Sequence, residues 1–430
     1  MSGATSSTAD ADEYPPLRRN PNFVRYFLGT FVSNAGDSLY NVAILWLVHE
    51  LGGSTVLTGV ASSLLLLPYL LQIVAGPIVD RFPIKPLLVG SQVIQGVVVL
   101  ALPLAAYTGH LTVWFAIAMI PALALMTLVT SPIRSTLVPR IVADGQLSRS
   151  NSALATVTLG LDMIFDALGG IFVALLGVTT LFLVDSVTFA VASVLFAGIA
   201  VPAVEPDDDG SAESPVETYV ADLRAGIDVL RGTLFVDLLL TSAVANFAVG
   251  ITLAILPAFG DSLGGPAIYG LLLGALGVGR LLGSLVAPAC SGLAYGRLVA
   301  TTFPLAAGCW LASVAFASPL STVLLFGIAW IPAGINGVLT ETLNQSIFPA
   351  DRLGRVAAIK GTAATATLPL GSLVGGLLAS ALGLATTMGL AAFGFAFVGV
   401  YVAVRRPLRT LPSVDAAAPA DFDVTISDAE

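Results

Sequence analysis

Apolar runs of about twenty residues, divided by short polar breaks, recur along the chain from residue 26 to residue 404. In the first half they fall at Tyr26–Val48, Leu57–Val79, Leu87–Tyr107, Leu111–Thr130, Ser152–Leu176 and Leu181–Val201. In the second half they fall at Phe235–Phe259, Ile268–Ser291, Leu298–Ala317, Leu320–Leu343, Ala357–Leu384 and Thr386–Val404. About 20 mostly apolar residues carry a helix across the hydrocarbon core of a bilayer. The pattern therefore predicts an all-α integral membrane protein with twelve transmembrane helices. The longest interior break, residues 202–233, opens with the acidic stretch Glu205-Pro-Asp-Asp-Asp-Gly-Ser, a solvated linker composition. Beyond it Tyr219, Leu223, Ile227 and Leu230 recur at helical spacing, with Asp222, Arg224, Asp228 and Arg231 on the other faces. That spacing predicts a short helix on the membrane surface. The expected organisation is a cytoplasmic tail over 1–22, a six-helix bundle over 23–201, the linker over 202–233, a second bundle over 234–404 and an acidic cytoplasmic tail over 405–430.

Composition removes the competing classes. Of 430 residues, 56% are apolar and 10% charged, against about a quarter charged in soluble domains. With a mean hydropathy of +0.92, so much apolar side chain has no place in a water-soluble core. The formal charge of −9 and the absence of a basic block exclude a nucleic-acid partner. Only Lys85 and Lys360 are lysines, and acidic residues gather at both ends of the chain. This acidic, lysine-poor aqueous surface resembles that of proteins from salt-accumulating archaea. Cys290 and Cys309 lie in apolar runs, which fits small buried hydrophobes better than a disulfide, and His49 and His110 are isolated, so no metal site and no cofactor are expected. The polar, proline-containing first 22 residues do not read as a removable signal peptide.

Cytoplasmic loops collect Lys and Arg. If both termini are cytoplasmic, every cation except Arg280 falls in an inside segment, and the outside loops near residues 50–56, 108–110, 177–180, 261–267, 318–319 and 383–385 hold none. A count wrong by one helix would scatter those charges over both faces. The halves also echo each other. Pro139 precedes Gly169-Gly170 by 30 residues and Pro349 precedes Gly375-Gly376 by 26, a spacing that points to two pseudo-symmetric bundles.

Between the second and third runs stands Gly76-Pro-Ile-Val-Asp80-Arg81-Phe-Pro-Ile-Lys85. It resembles the Gly-x-x-x-Asp-Arg-x-x-(Arg/Lys) loop signature of the major facilitator superfamily, with Pro83 where that family usually has a glycine. Its counterpart near Gly283-Ser-Leu-Val-Ala287 lacks the Asp-Arg pair. Ser33-Asn34-Ala-Gly36-Asp37, Gly354-Arg355-Val356 and the Leu147/Asn151 pair are similar to elements of the macrolide-efflux and enterobactin-exporter branch. The resemblance covers about residues 22–406 and implies the major facilitator fold, with Gly76, Asp80, Arg81 and Lys85 as a gating element.

A charge at mid-membrane costs about 2.5–3.5 kcal/mol on insertion scales, so each one needs a reason. Asp37 stands midway in the first run with Asn34 and Asn41 on its own face. It reads as a carboxylate that takes and releases a proton in a central cavity, or as a hydrogen-bonded structural Asp. Asp162 and Asp166, four apart, share one face of the fifth run, and two near carboxylates in low dielectric do not both ionise. One reading makes them proton carriers; the other pairs one with a cation or a helix end. Asp166 also falls where the superfamily's antiporter motif Gly-Pro-x-x-Gly-Gly would have proline. Arg280, beside Gly277, Gly279 and Gly283, either faces a cavity carboxylate or anionic substrate, or snorkels to the headgroups. Asp185 reads as structural. Glu341 is placed to pair with Arg352 and Arg355 at an inner gate, and Gln92, Gln95, Asn246 and Asn336 are candidate cavity groups or helix–helix contacts.

The expectation is a secondary transporter in the plasma membrane that moves a small molecule by alternating access, as a monomer in a lipid bilayer. Proton-coupled export resembles the branch best, and coupled uptake by proton or sodium stays open. Asp162 and Asp166 alone do not make a Mg²⁺–pyrophosphate site, and no phosphate-binding loop or hydrolase motif is present, so an enzyme is not expected.

Overall fold

The computed structural model describes residues 15–68, 83–201, 231–316, 318–348, 361, 363–422 and 424, with backbone only at 129–132, 159, 162 and 163. The fold is all-α. Among the described residues there is no strand, only an isolated bridge between Ala294 and Ser413. The helices are α1 (Pro21–Gly52), α2 (Thr55–Leu65), α3 (Ile84–Tyr107), α4 (Val113–Ile141), α5 (Leu147–Leu176) and α6 (Val178–Ala197). They continue with α7 (Leu234–Leu263), α8 (Pro266–Cys290), α9 (Tyr295–Ala315), α10 (Pro319–Ala329), α11 (Ile331–Ile347), α12 (Thr367–Leu382) and α13 (Leu384–Val404). A helix therefore stands at each predicted run, and nine of the described helical stretches are long and apolar enough to cross a membrane. The surface helix predicted over 218–231 lies outside the described residues, Arg231 aside.

Local chemistry sets the helix ends. Asn20 caps α1, its Oδ1 accepting from the backbone N–H of Asn22 and Phe23 at 3.1 and 3.2 Å, while its Nδ2 donates to the Ile141 carbonyl at the end of α4. Thr112 caps α4 by accepting from Phe115 N at 3.2 Å. The α5–α6 and α12–α13 turns each rest on one residue with positive φ, Gly177 at 77° and Gly383 at 85°. Each lies eight residues past the first glycine of its Gly-Gly pair, so the echo seen in the sequence extends to the turns. The tenth run, predicted as continuous, is divided at Trp330 into α10 and α11. Pro332 has no N–H for the Ile328 carbonyl, and Trp330 N tightens onto the Gly327 carbonyl at 3.1 Å instead.

The chain forms two compact units, residues 1–47 with 71–212, and residues 48–70 with 213–430. In the first, α3 packs on α6, and one end is filled by Phe23, Tyr26, Leu88, Ile133, Leu137, Ile141, Leu154 and Phe196. In the second, Trp310, Phe326, Trp330 and Phe395 meet edge-on or tilted at centroid distances of 5.1–6.0 Å. The second unit also holds the last turn of α1 and all of α2. There α2 lies against α7 and α12: Thr55 Oγ1 donates to the Gly376 carbonyl at 2.9 Å. Ser372 Oγ donates to the Gly250 carbonyl at 3.0 Å and so accepts from Ser62 Oγ at 3.1 Å. Beside this seam His49 Nε2 stands 3.2 Å from Asp261 Oδ2. The segment after α13 is docked rather than free: Tyr295 N donates to the Pro412 carbonyl at 3.0 Å, and the buried Phe422 stacks on Phe235 at 5.0 Å.

Glycine makes the closest approaches. A Cβ at Gly279 or Gly283 of α8 would run into the carbonyls of Gly327 and Ile331, and one at Gly334 would run into the Arg280 carbonyl. Gly308 on α9 has open space around it. Gly283→Val is therefore expected to lower stability in detergent by about 1–3 kcal/mol through overpacking. Gly308→Ala should be neutral or stabilise by up to about 1 kcal/mol through helix propensity. Thermal unfolding of the two purified variants against wild type measures the contrast.

Candidate functional site

In the first unit α1 crosses α6 face to face. Gly29 sits on the Phe196 ring, Gly36 sits on Asp185 and Thr188, and the Tyr40 ring meets Phe182 at 5.9 Å. The spacing Gly29, Gly36, Tyr40 keeps one face of α1 toward α6. Because Gly36 has no side chain, the Asp185 carboxylate and Thr188 hydroxyl reach the α1 backbone one residue from Asp37.

The arrangement is a small polar cluster inside an apolar bundle. Asp37 is half-buried, and Ser33 Oγ donates to its Oδ2 at 3.4 Å. Asn34 is likewise half-buried and Asn41 is exposed, so the three form an accessible stripe along α1. Asp185 is 0% exposed. Thr188 Oγ1 lies 3.2 Å from its Oδ1 and donates more closely to its carbonyl at 2.7 Å, while Oδ2 has no hydrogen-bond partner among the described residues. Tyr40 Oη is also buried without a hydrogen-bond partner among the described residues, and Asp37 and Asp185 both lie within electrostatic reach of it and of each other. From α3, Gln92 and Gln95 are buried; Gln95 Nε2 donates to the Ser91 carbonyl at 3.2 Å, and Ser186 Oγ of α6 donates to the Gly96 carbonyl at 2.9 Å. Two carboxylates with three hydroxyls around them are chemistry for holding a small cation, a proton included. Among the described residues no group of three or more His, Cys, Asp or Glu could hold a metal ion.

The other candidates are spread more widely. Asp166 is half-buried on α5, one turn before Gly169, which packs on Val42 of α1. The side chain of Asp162 lies outside the described set, as do Gly76, Asp80, Arg81, Arg352 and Arg355, and Lys85 is exposed in the first turn of α3. Arg280 is exposed on α8 in the second unit. Glu341 is exposed and accepts from Asn344 at 3.5 Å and Gln345 at 3.3 Å on its own helix. Asn336 of α11 accepts from Tyr295 Oη of α9 at 2.9 Å, a helix–helix contact, and Asn246 Nδ2 donates to the Ser242 carbonyl one turn back on its own helix at 2.9 Å. Sequence reasoning did not select Asp185 or Tyr40 for this cluster. A hydroxyl at +3 from Asp185 was visible, but the glycine facing it from another helix was not.

Twelve apolar helical runs with an internal echo and polar groups held mid-helix are the architecture of a multi-pass solute carrier. The chain belongs to the transmembrane secretion effector family of the major facilitator superfamily, whose model matches residues 11–428. It is a membrane transporter and not an enzyme. It is 26% identical over 427 residues to the multidrug efflux pump Tap of Mycobacterium tuberculosis, across 96% of this chain and 99% of that one. Solved structures share the fold. A bacterial homologue of the human lysosomal transporter Spinster, inward-facing and occupied, matches 96% of this chain and 100% of its own at a TM-score of 0.70 and 12% identity. The nucleoside transporter NupG matches 88% of this chain and 98% of its own at a TM-score of 0.68 and 13% identity.

Proposed function

We propose that the protein exports small amphipathic molecules in exchange for protons, with Asp37 as the group that exchanges protons with water. The observation that carries this reading is the half-buried Asp37 on the accessible stripe of α1, set beside the sealed carboxylate of Asp185. The efflux direction is supported by the likeness to a multidrug efflux pump. The distribution of cations supports an orientation with both termini in the cytoplasm, and a monomer is sufficient for the cycle. On that orientation the α2 seam with α7 and α12, and the His49–Asp261 contact, lie toward the outer side and hold it shut. The loop bearing Gly76, Asp80, Arg81 and Lys85, and Glu341 with Arg352 and Arg355, are assigned to the inner gate. Asp162, Asp166 and Arg280 remain candidates for the substrate path.

Reconstituted in proteoliposomes, the protein should move ethidium, a lipophilic cation, against its concentration gradient when a pH gradient is imposed. For one proton exchanged per ethidium, each pH unit supplies about 1.4 kcal/mol, or at most about tenfold accumulation. Asp37→Asn should abolish that uphill flux while thermal unfolding shows a folded protein. Wild-type uphill rates in Asp37→Asn would remove Asp37 from the coupling.

The outer seam gives a second test. With Cys290 and Cys309 replaced by alanine, Ser62→Cys with Ser372→Cys should cross-link on oxidation, given the 3.1 Å between the two hydroxyls. The cross-link should stop ethidium flux, and reductant should restore it. Flux undiminished in the fully cross-linked protein would show that this seam does not open during transport.

A further inference from the structure

We infer that Asp37 and Asp185 form a single proton-binding pair, in which Asp37 meets water and the buried Asp185 holds the proton out of it. The inference deepens the proposed coupling at Asp37 by naming the second carboxylate of that site.

Four observations lead there. Asp185 is wholly buried, and its Oδ2 accepts from no group among the described residues. An ionised carboxylate in such a place needs a donor or a cation, and an unpaired one carries a desolvation penalty of several kcal/mol. The groups around it do not supply a counter-charge. Asp37 and Tyr40 act on it from α1 and Thr188 from its own helix; α3 carries the buried neutral Gln92 and Gln95 and α5 carries Asp166, and among the described residues no lysine or arginine is one of the groups acting on it. Gly36 holds it against α1 beside Asp37, so two carboxylates share one crossing of α1 and α6. A proton on Asp185 Oδ2 satisfies that oxygen as an O–H donor and removes one of the two charges, leaving a singly charged pair that the hydroxyls of Ser33, Tyr40 and Thr188 can solvate.

The second unit supplies a control within the same molecule. Asp185 lies eight residues past Gly177, and the residue eight past Gly383 is Ala391, also buried. Val42 and Ile251 are the residues packed on Gly169 and Gly375, and five residues before them stand Asp37 and Asn246. Where the first unit has two carboxylates, the second has alanine and asparagine. The helix packing of this fold therefore does not require an acid at either position, and the pair is an addition specific to the first unit.

The test is infrared spectroscopy of the purified protein in detergent, read at the carbonyl stretch of protonated carboxylic acids, and it uses no substrate. Wild type at neutral pH should show such a band. Asp185→Asn should lose it, Asp37→Asn should keep it, and Thr188→Val should shift it upward because Oδ1 loses its hydroxyl donor. Should Asp185→Asn fail to fold, the Thr188→Val shift still identifies the owner of the band. A band absent from wild type, or present and unshifted in both Asp185→Asn and Thr188→Val, overturns the inference. So does loss of the wild-type band when NaCl replaces choline chloride at fixed pH, which would make this a sodium site. If imposed pH gradients drive no ethidium while the band behaves as stated, the coupling reading falls and the proton site stands. Intact uphill flux with a band indifferent to Asp185→Asn gives the converse.

Discussion

Hydrocarbon offers a polar group no hydrogen bond, so each polar atom carried into the bilayer must find its partner on a neighbouring helix or on its own backbone. This constraint governs the structure. Most mid-helix hydroxyls satisfy it locally by donating to a carbonyl three or four residues back, as Thr127, Thr241, Thr252 and Ser313 do. Contacts between helices are then left to close backbone approach, and glycine supplies it at Gly250, Gly279, Gly283, Gly334, Gly371 and Gly375, where a Cβ would meet a neighbouring backbone. Against that background the few groups left unsatisfied stand out. Asp185 Oδ2 and Tyr40 Oη belong to the same crossing of α1 and α6.

The glycine at this crossing does something different from the others. At Gly283 the missing Cβ admits a backbone carbonyl, which is packing alone. At Gly36 it admits an acid and a hydroxyl side chain. One device serves adhesion in the second unit and brings charge together in the first. Halves that keep the same turns, and in each a first glycine of the Gly-Gly pair packed on a neighbouring helix, can therefore differ in chemistry through a handful of substitutions.

The spans were legible because a bilayer imposes length and hydropathy on every crossing, and the cation pattern made the count self-checking. The break at Trp330 was legible in principle from Pro332, yet hydropathy does not register a lost N–H. Asn20 was harder to read. It lies in a polar leader, and its second role, tying α1 to the carbonyl of Ile141, joins positions 121 residues apart. Asp37 could be selected because polar neighbours at −3 and +4 mark its own helical face. Asp185 has no such stripe: Phe182, Thr188 and Phe189 lie one turn away on its own helix, and what brings it beside Asp37 is the glycine opposite on α1. A single sequence reports the periodicity within a helix, not which residues face each other across two.

Magnitudes connect the proposed proton site to the seam around α2. That seam consists of small residues, Gly59 against Gly376, and two hydroxyl contacts, at Thr55 and Ser62. Interhelical hydrogen bonds in membranes average about 0.6 kcal/mol, and the seam is flanked by the 3.2 Å contact of His49 Nε2 with Asp261 Oδ2. Two such hydrogen bonds come to about 1 kcal/mol, within the range in which two conformations stay jointly populated. One proton carried across one pH unit is worth about 1.4 kcal/mol. The contacts that the described residues make at this seam and the drive of one proton are therefore of the same order, which is what the proposed coupling asks of them.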